Sequence, residues 1–134
     1  MVMKLIPFDP KELNKTYRVS VHRSGRIGFT SEAAEKMKLS DYKSANISRN
    51  GDDVLDTNLY LTLHKEKDTG AFRINTNGPY FSINIKLVLD AVKIDYSEGK
   101  AWFEMEEIEI EGNKVYKLKR KSKANTLASL PDVI

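Results

Sequence analysis

The chain has 134 residues, a formal net charge of +3 and a pI near 9.0. That length fits one domain, and Leu, Ile, Val and Phe supply 35 of the 134 residues, enough for a buried core. The absence of Cys excludes a disulfide scaffold, a thiolate zinc site and a cysteine nucleophile, and no apolar run approaches the ~20 residues of a membrane helix.

Residues 1–16 read as a lead-in segment. Pro7 and Pro10 interrupt it, and Val2 to Ile6 are expected to add a short edge strand. The first nine residues hold no extended apolar stretch, so no signal peptide is expected and the protein is placed in the cytoplasm. Tyr17-Arg18-Val19-Ser20-Val21-His22 alternates apolar and polar residues and predicts a half-buried strand. Ser24-Gly25 marks a turn, and Arg26-Ile27-Gly28-Phe29 alternates again, so the two runs form a hairpin. Thr30-Ser31-Glu32 opens a helix, with a hydroxyl to cap free N–H groups and a carboxylate at the positive end of the dipole. Ala33, Ala34 and Met37 follow at helical spacing, and the helix is expected to stop near Leu39 to Asp41.

Residues 43–48 predict a weak strand, Asn50-Gly51-Asp52-Asp53 a turn, and residues 58–64 a strong strand. Asp68-Thr69-Gly70 turns the chain into two strands, residues 71–75 and 80–83. Asn77-Gly78 between them is expected to supply the positive φ angles of a tight hairpin. Ile85, Val88, Leu89 and Val92 then recur at i, i+3, i+4 and i+7, the stripe of a second helix. The last hairpin runs from Lys100 to Ile110 and from Lys114 to Lys121. A three-residue loop, Glu111-Gly112-Asn113, would set Ile108 opposite Tyr116 and Glu107 opposite Lys117. One face would carry Ile108, Ile110, Tyr116 and Leu118, the other Glu107, Glu109, Lys117 and Lys119. Residues 122–134 are expected to form a flexible tail, apolar towards its end.

The predicted fold class is α+β. It is a single domain over residues 17–121, a twisted antiparallel sheet of about eight strands with two short helices on one face. The order hairpin–helix–hairpin occurs twice, which raises the possibility of an internal duplication.

Two resemblances accompany this reading. Residues 25–39 resemble the core motif of the AbrB and MraZ swapped-hairpin family, with Gly25, Arg26, Ile27, Phe29, Met37 and Leu39 on its pattern. Thr30 stands in place of its proline, Ala34 of its arginine and Lys38 of its glycine. The resemblance implies a dimeric DNA-binding protein that touches DNA through hairpin-arm residues, here Arg23 and Arg26. The strand order of residues 43–92 resembles the unit of the Whirly and PUR-repeat single-strand binders, which implies aromatic and basic residues on a sheet face.

Single-strand binding requires π-faces for bases and cations for phosphates. Tyr60 with Lys65, Phe72-Arg73 and Tyr80 interleave the two on predicted strands. Strands are rich in aromatics in any case, and half of such a set faces a core. Six basic residues lie between Lys114 and Lys123 without an acidic one, whereas five glutamates lie between Glu104 and Glu111 without a basic one. Cross-strand pairing would neutralise Lys117 and Lys119, which leaves Arg120, Lys121 and Lys123 as phosphate-contact candidates. No metal-ligand spacing, nucleophile elbow or P-loop occurs, so neither enzyme chemistry nor a cofactor is expected. The sequence therefore predicts a non-enzymatic nucleic-acid-binding protein, a transcription regulator or single-strand binder, acting as a homodimer. Its alternative is a protein-interaction or assembly module.

Overall fold

A computed structural model describes residues 2–13, 16–67, 70–99 and 101–122. A single helical turn, α1 (Pro10–Leu13), precedes the first hairpin, β1 (Thr16–Val21) and β2 (Arg26–Phe29). Helix α2 (Ser31–Met37) and a 3-10 turn (Leu39–Asp41) lead to β3 (Ser44–Ser48) and β4 (Leu59–His64). The second half repeats the order with β5 (Phe72–Asn77), β6 (Tyr80–Asn84), α3 (Lys86–Ala91), β7 (Ala101–Ile110) and β8 (Asn113–Ser122). Val2 to Ile6 form no strand.

The eight strands close into an antiparallel barrel in the order β1-β2-β6-β5-β3-β4-β8-β7, with β7 returning to β1 at Val19↔Phe103. This overturns the expected open sheet with helices on one face. The reason is area. Eight strands ~4.8 Å apart would span roughly 35 Å. A seven-residue helix is only ~10 Å long and cannot cover such a face. Closure lets the sheet bury its own apolar face and pairs every strand on both sides. Val19, Ile27, Leu61, Ile83, Phe103, Met105 and Leu118 are buried inside. Ala33, Ala34 and Met37 of α2, with Ile85 and Leu89 at α3, join the same cluster.

Neither half closes on itself. The hairpin β1–β2 pairs with β6 and β7, and β3–β4 pairs with β5 and β8, so the hairpins of the two halves are exchanged. Advancing every strand by four places reproduces the same circular order. The connectivity thus has a pseudo-two-fold axis, which runs through the two seams where equivalent strands meet, β2–β6 and β4–β8.

Local signals hold where chemistry fixes them. The Thr30 hydroxyl accepts a hydrogen bond from the Ala33 amide at 3.1 Å. Gly25 closes the first hairpin with φ +86° and must lack a Cβ, because one would lie 2.5 Å from Lys86 Cβ. Two other turns differ from expectation by one residue. Asn77 pairs with Tyr80, so Gly78 (φ +62°) and Pro79 form the loop, and only the glycine needs positive φ. Ile110 pairs with Asn113, so Glu111 (φ 51°) and Gly112 (φ 81°) form a two-residue turn. Ile108 therefore faces Val115 and Glu107 faces Tyr116. The slip moves Ile108 and Ile110 to the outer face and leaves Phe103 and Met105 as the inward residues of β7. The ion pairs form accordingly, Lys119 with Glu106 and Lys114 with Glu107, each at 3.3 Å.

Candidate functional site

Alternation along a barrel strand sends every second side chain outwards. On β1, β2, β6 and β5 these outward residues surround a groove of about 560 Å³ over the β2–β6 seam. Its floor is small, because Ser20 pairs with Gly28 and Gly28 with Ser82 in one continuous row. Gly28 is a strand-interior glycine, a position where a second group approaches the backbone. That group is His22, whose Nε2 would lie 2.9 Å from a Cβ at Gly28. His22 and Arg26 stand on one flank, Asn77 and Tyr80 on the other. Tyr80 is 68% exposed. Among the described residues no carboxylate lines the groove.

Beyond Ser20 the row continues to Trp102 and Lys121. The Arg18 guanidinium lies 4.3 Å from the centre of the Trp102 ring, a cation–π contact on a partly exposed tryptophan.

The opposite seam, β4–β8, carries a second groove of about 660 Å³. Its lining mixes Ile108, Ile110 and Val115 with Asp52, Glu106, Arg49 and Lys117. Tyr60 sits here, tied down by its hydroxyl, which donates to the Asp56 carboxylate. That carboxylate also accepts hydrogen bonds from the Asn50 side chain and from the Asn58 amide and side chain. The Tyr60 bond, then the Asn58 amide, hold the Asp56 carboxyl well below the usual carboxylate range. The Tyr60 phenol is pushed up to about 12, chiefly by the same bond. Inside the barrel, burial first and the nearby Glu107 second hold the Tyr116 phenol well above its ordinary value.

The fold thus brings Arg26 and Tyr80 together in the groove over the β2–β6 seam, whereas Arg23, exposed in the β1–β2 turn, has its side chain near Gly99 and does not line it. Lys121 flanks it through Trp102. The remaining sequence candidates go elsewhere. Tyr60 faces the opposite seam, Lys65 is exposed just past β4, and Arg73 is exposed on β5. Phe72 packs against the core, because it pairs with the buried Ala45 on the inward face. Arg120 lines a small cleft with Arg49 and Asp56. Lys123 and the tail lie outside the described residues. Tyr60, Phe72, Arg73, Tyr80 and Lys121 therefore do not share one exposed face.

Sequence reasoning missed His22 and Trp102 as groove and flank residues. Both were legible by parity, since His22 alternates with the inward Val21 and Trp102 with the inward Phe103. Among the described residues no group of three or more His, Asp or Glu side chains is placed to hold a metal ion, and no helix is long and apolar enough to cross a membrane. Comparison with protein families, curated proteins and solved structures gives no match to this chain.

Proposed function

We propose that the chain is a nucleic-acid-binding protein that works without catalysis, through the groove over the β2–β6 seam. The observation that carries this reading is the pairing of Arg26 and His22 with the exposed Tyr80 around a carboxylate-free floor of Gly28 and Ser82. The Arg26 guanidinium and a His22 ring N–H can meet phosphate oxygens, an exposed ring offers a stacking face, and a floor of small residues admits a backbone. Two further features support it. Residues 25–39, which resemble the swapped-hairpin DNA-binding motif, form β2, α2 and the turn before β3, and the hairpins of the two halves are exchanged. The Arg18–Trp102 pair with Lys121 extends the same chemistry along the barrel wall.

The test is fluorescence anisotropy with labelled single-stranded DNA, duplex DNA and RNA at two salt concentrations. Micromolar or tighter binding that weakens with salt supports the reading, and the slope counts the phosphate contacts. No binding to any of the three at low salt refutes it.

A second reading, a protein-interaction module that includes self-association, is favoured by one specific observation. Val2, Met3, Leu5, Ile6 and Phe8 are 76–95% exposed in a row, more apolar surface than a solvated arm requires. Sedimentation of the chain with and without residues 2–8, together with the anisotropy result, separates the two.

A further inference from the structure

We propose that the groove takes a single strand, with a phosphodiester against Arg26 and His22 and the attached base against Tyr80 and Asn77. By the same argument it disfavours a palindromic duplex. This rests on the nucleic-acid reading above and names the substrate form.

The argument starts from the pseudo-two-fold axis. The axis passes through the β2–β6 seam, so the two flanks of the groove are the equivalent hairpins β1–β2 and β5–β6. A ligand with two-fold symmetry, laid across that seam, meets equivalent backbone on both sides and needs equivalent side chains. The flanks differ in their larger polar side chains. One carries an imidazole and a guanidinium, the other a carboxamide and a phenol.

A nucleotide unit has the same two-ended character. Its phosphate is anionic, and its base is a neutral π-surface edged with donors and acceptors. Arg26 suits the first by charge and fork geometry. Tyr80, exposed over most of its surface, suits the second by stacking, and the Asn77 amide can donate to or accept from a base edge. Between the flanks lie Gly28 and Ser82, which leave room for the sugar.

The experiment compares three labelled probes: an oligothymidylate, an abasic strand of equal length, and a palindromic duplex. The full-length chain is used as wild type, Tyr80→Leu, Tyr80→Phe and Arg26→Gln. Tyr80 and Arg26 are both exposed, so the variants are expected to fold, and circular dichroism checks this. The wild type should prefer the oligothymidylate over the other two. Tyr80→Leu should weaken that probe about ten-fold and leave the abasic strand unchanged. Tyr80→Phe, which keeps the ring, should retain the affinity. Arg26→Gln should weaken both strands and lower the salt slope by about one contact. If Tyr80→Leu changes nothing, or affects both strands equally, or if the duplex binds best, the single-strand proposal is overturned while nucleic-acid binding stands. If the wild type binds none of the probes, the functional reading itself falls and the proposal with it.

Discussion

Lysine-to-glycine substitution should change sign between two positions only two residues apart. Lys38 ends α2 in the left-handed region at φ 55°, where its amide donates to the Glu35 carbonyl at 3.1 Å. An L side chain pays about 1–2 kcal/mol there, and glycine does not. Glycine gives back about 0.5–1 kcal/mol through the greater freedom of its unfolded chain. Lys38→Gly should therefore stabilise by about 0.5–1 kcal/mol. Lys36 lies inside the same helix with ordinary dihedrals, where glycine should destabilise by about 0.7 kcal/mol. For 134 residues the unfolding entropy is about 0.28 kcal/mol/K, so 1 kcal/mol moves Tm by about 3.5 °C. The two variants should thus melt about 5 °C apart, Lys38→Gly above the wild type and Lys36→Gly below it. Lys93, at φ 59° just past α3, provides an independent repeat. Differential scanning calorimetry measures all three. A Lys38→Gly protein that melts as low as Lys36→Gly refutes the strain argument.

Leu61 is fully buried on the inner wall, so Leu61→Ala should cost about 2–5 kcal/mol by chemical denaturation; a loss under about 1 kcal/mol contradicts the closed interior. Gly28→Val sets a Cβ 2.9 Å from His22 Nε2, an exposed side-chain tip that can swing aside, while removing a strand glycine. Thermal stability should hold or rise, and single-strand affinity should fall; a cooperative loss of fold would contradict the outward assignment of this position. The Asp56 pKa is depressed in the folded state, so its stabilising contribution is present above the ordinary carboxylate value of about 4 and is lost as pH falls through the folded value. Tyr60→Phe removes the largest cause of that depression. Urea midpoints followed from neutral to acid pH should then fall less steeply below about pH 4 than in the wild type, and superimposable profiles would speak against the Tyr60–Asp56 bond.

Much of the element list was readable because it depends on neighbours in sequence. The Thr30 cap, the stripe Ile85, Val88 and Leu89 and the alternation of Val19 and Val21 each need only a few adjacent residues. The turn registers were harder. Whether Glu111 adopts positive φ depends on the pull of the two long strands behind it, and that single residue reverses which side of β7 faces in. The groove was half readable. Arg26 and Tyr80 were found as residue types on strands, but they lie more than fifty positions apart, and their meeting depends on the β2–β6 seam. Tyr60, with the same chemistry as Tyr80, went to the other seam and was claimed by Asp56.

Sequence alone determined the two hairpin–helix–hairpin runs and the absence of cysteine chemistry, because periodicity and composition act locally. Only the tertiary structure decided that the sheet closes, that the two halves exchange their hairpins and that an uncharged flank faces a cationic one. These are outcomes of covering one continuous apolar face with too little helix, a constraint that no short stretch of the chain carries by itself.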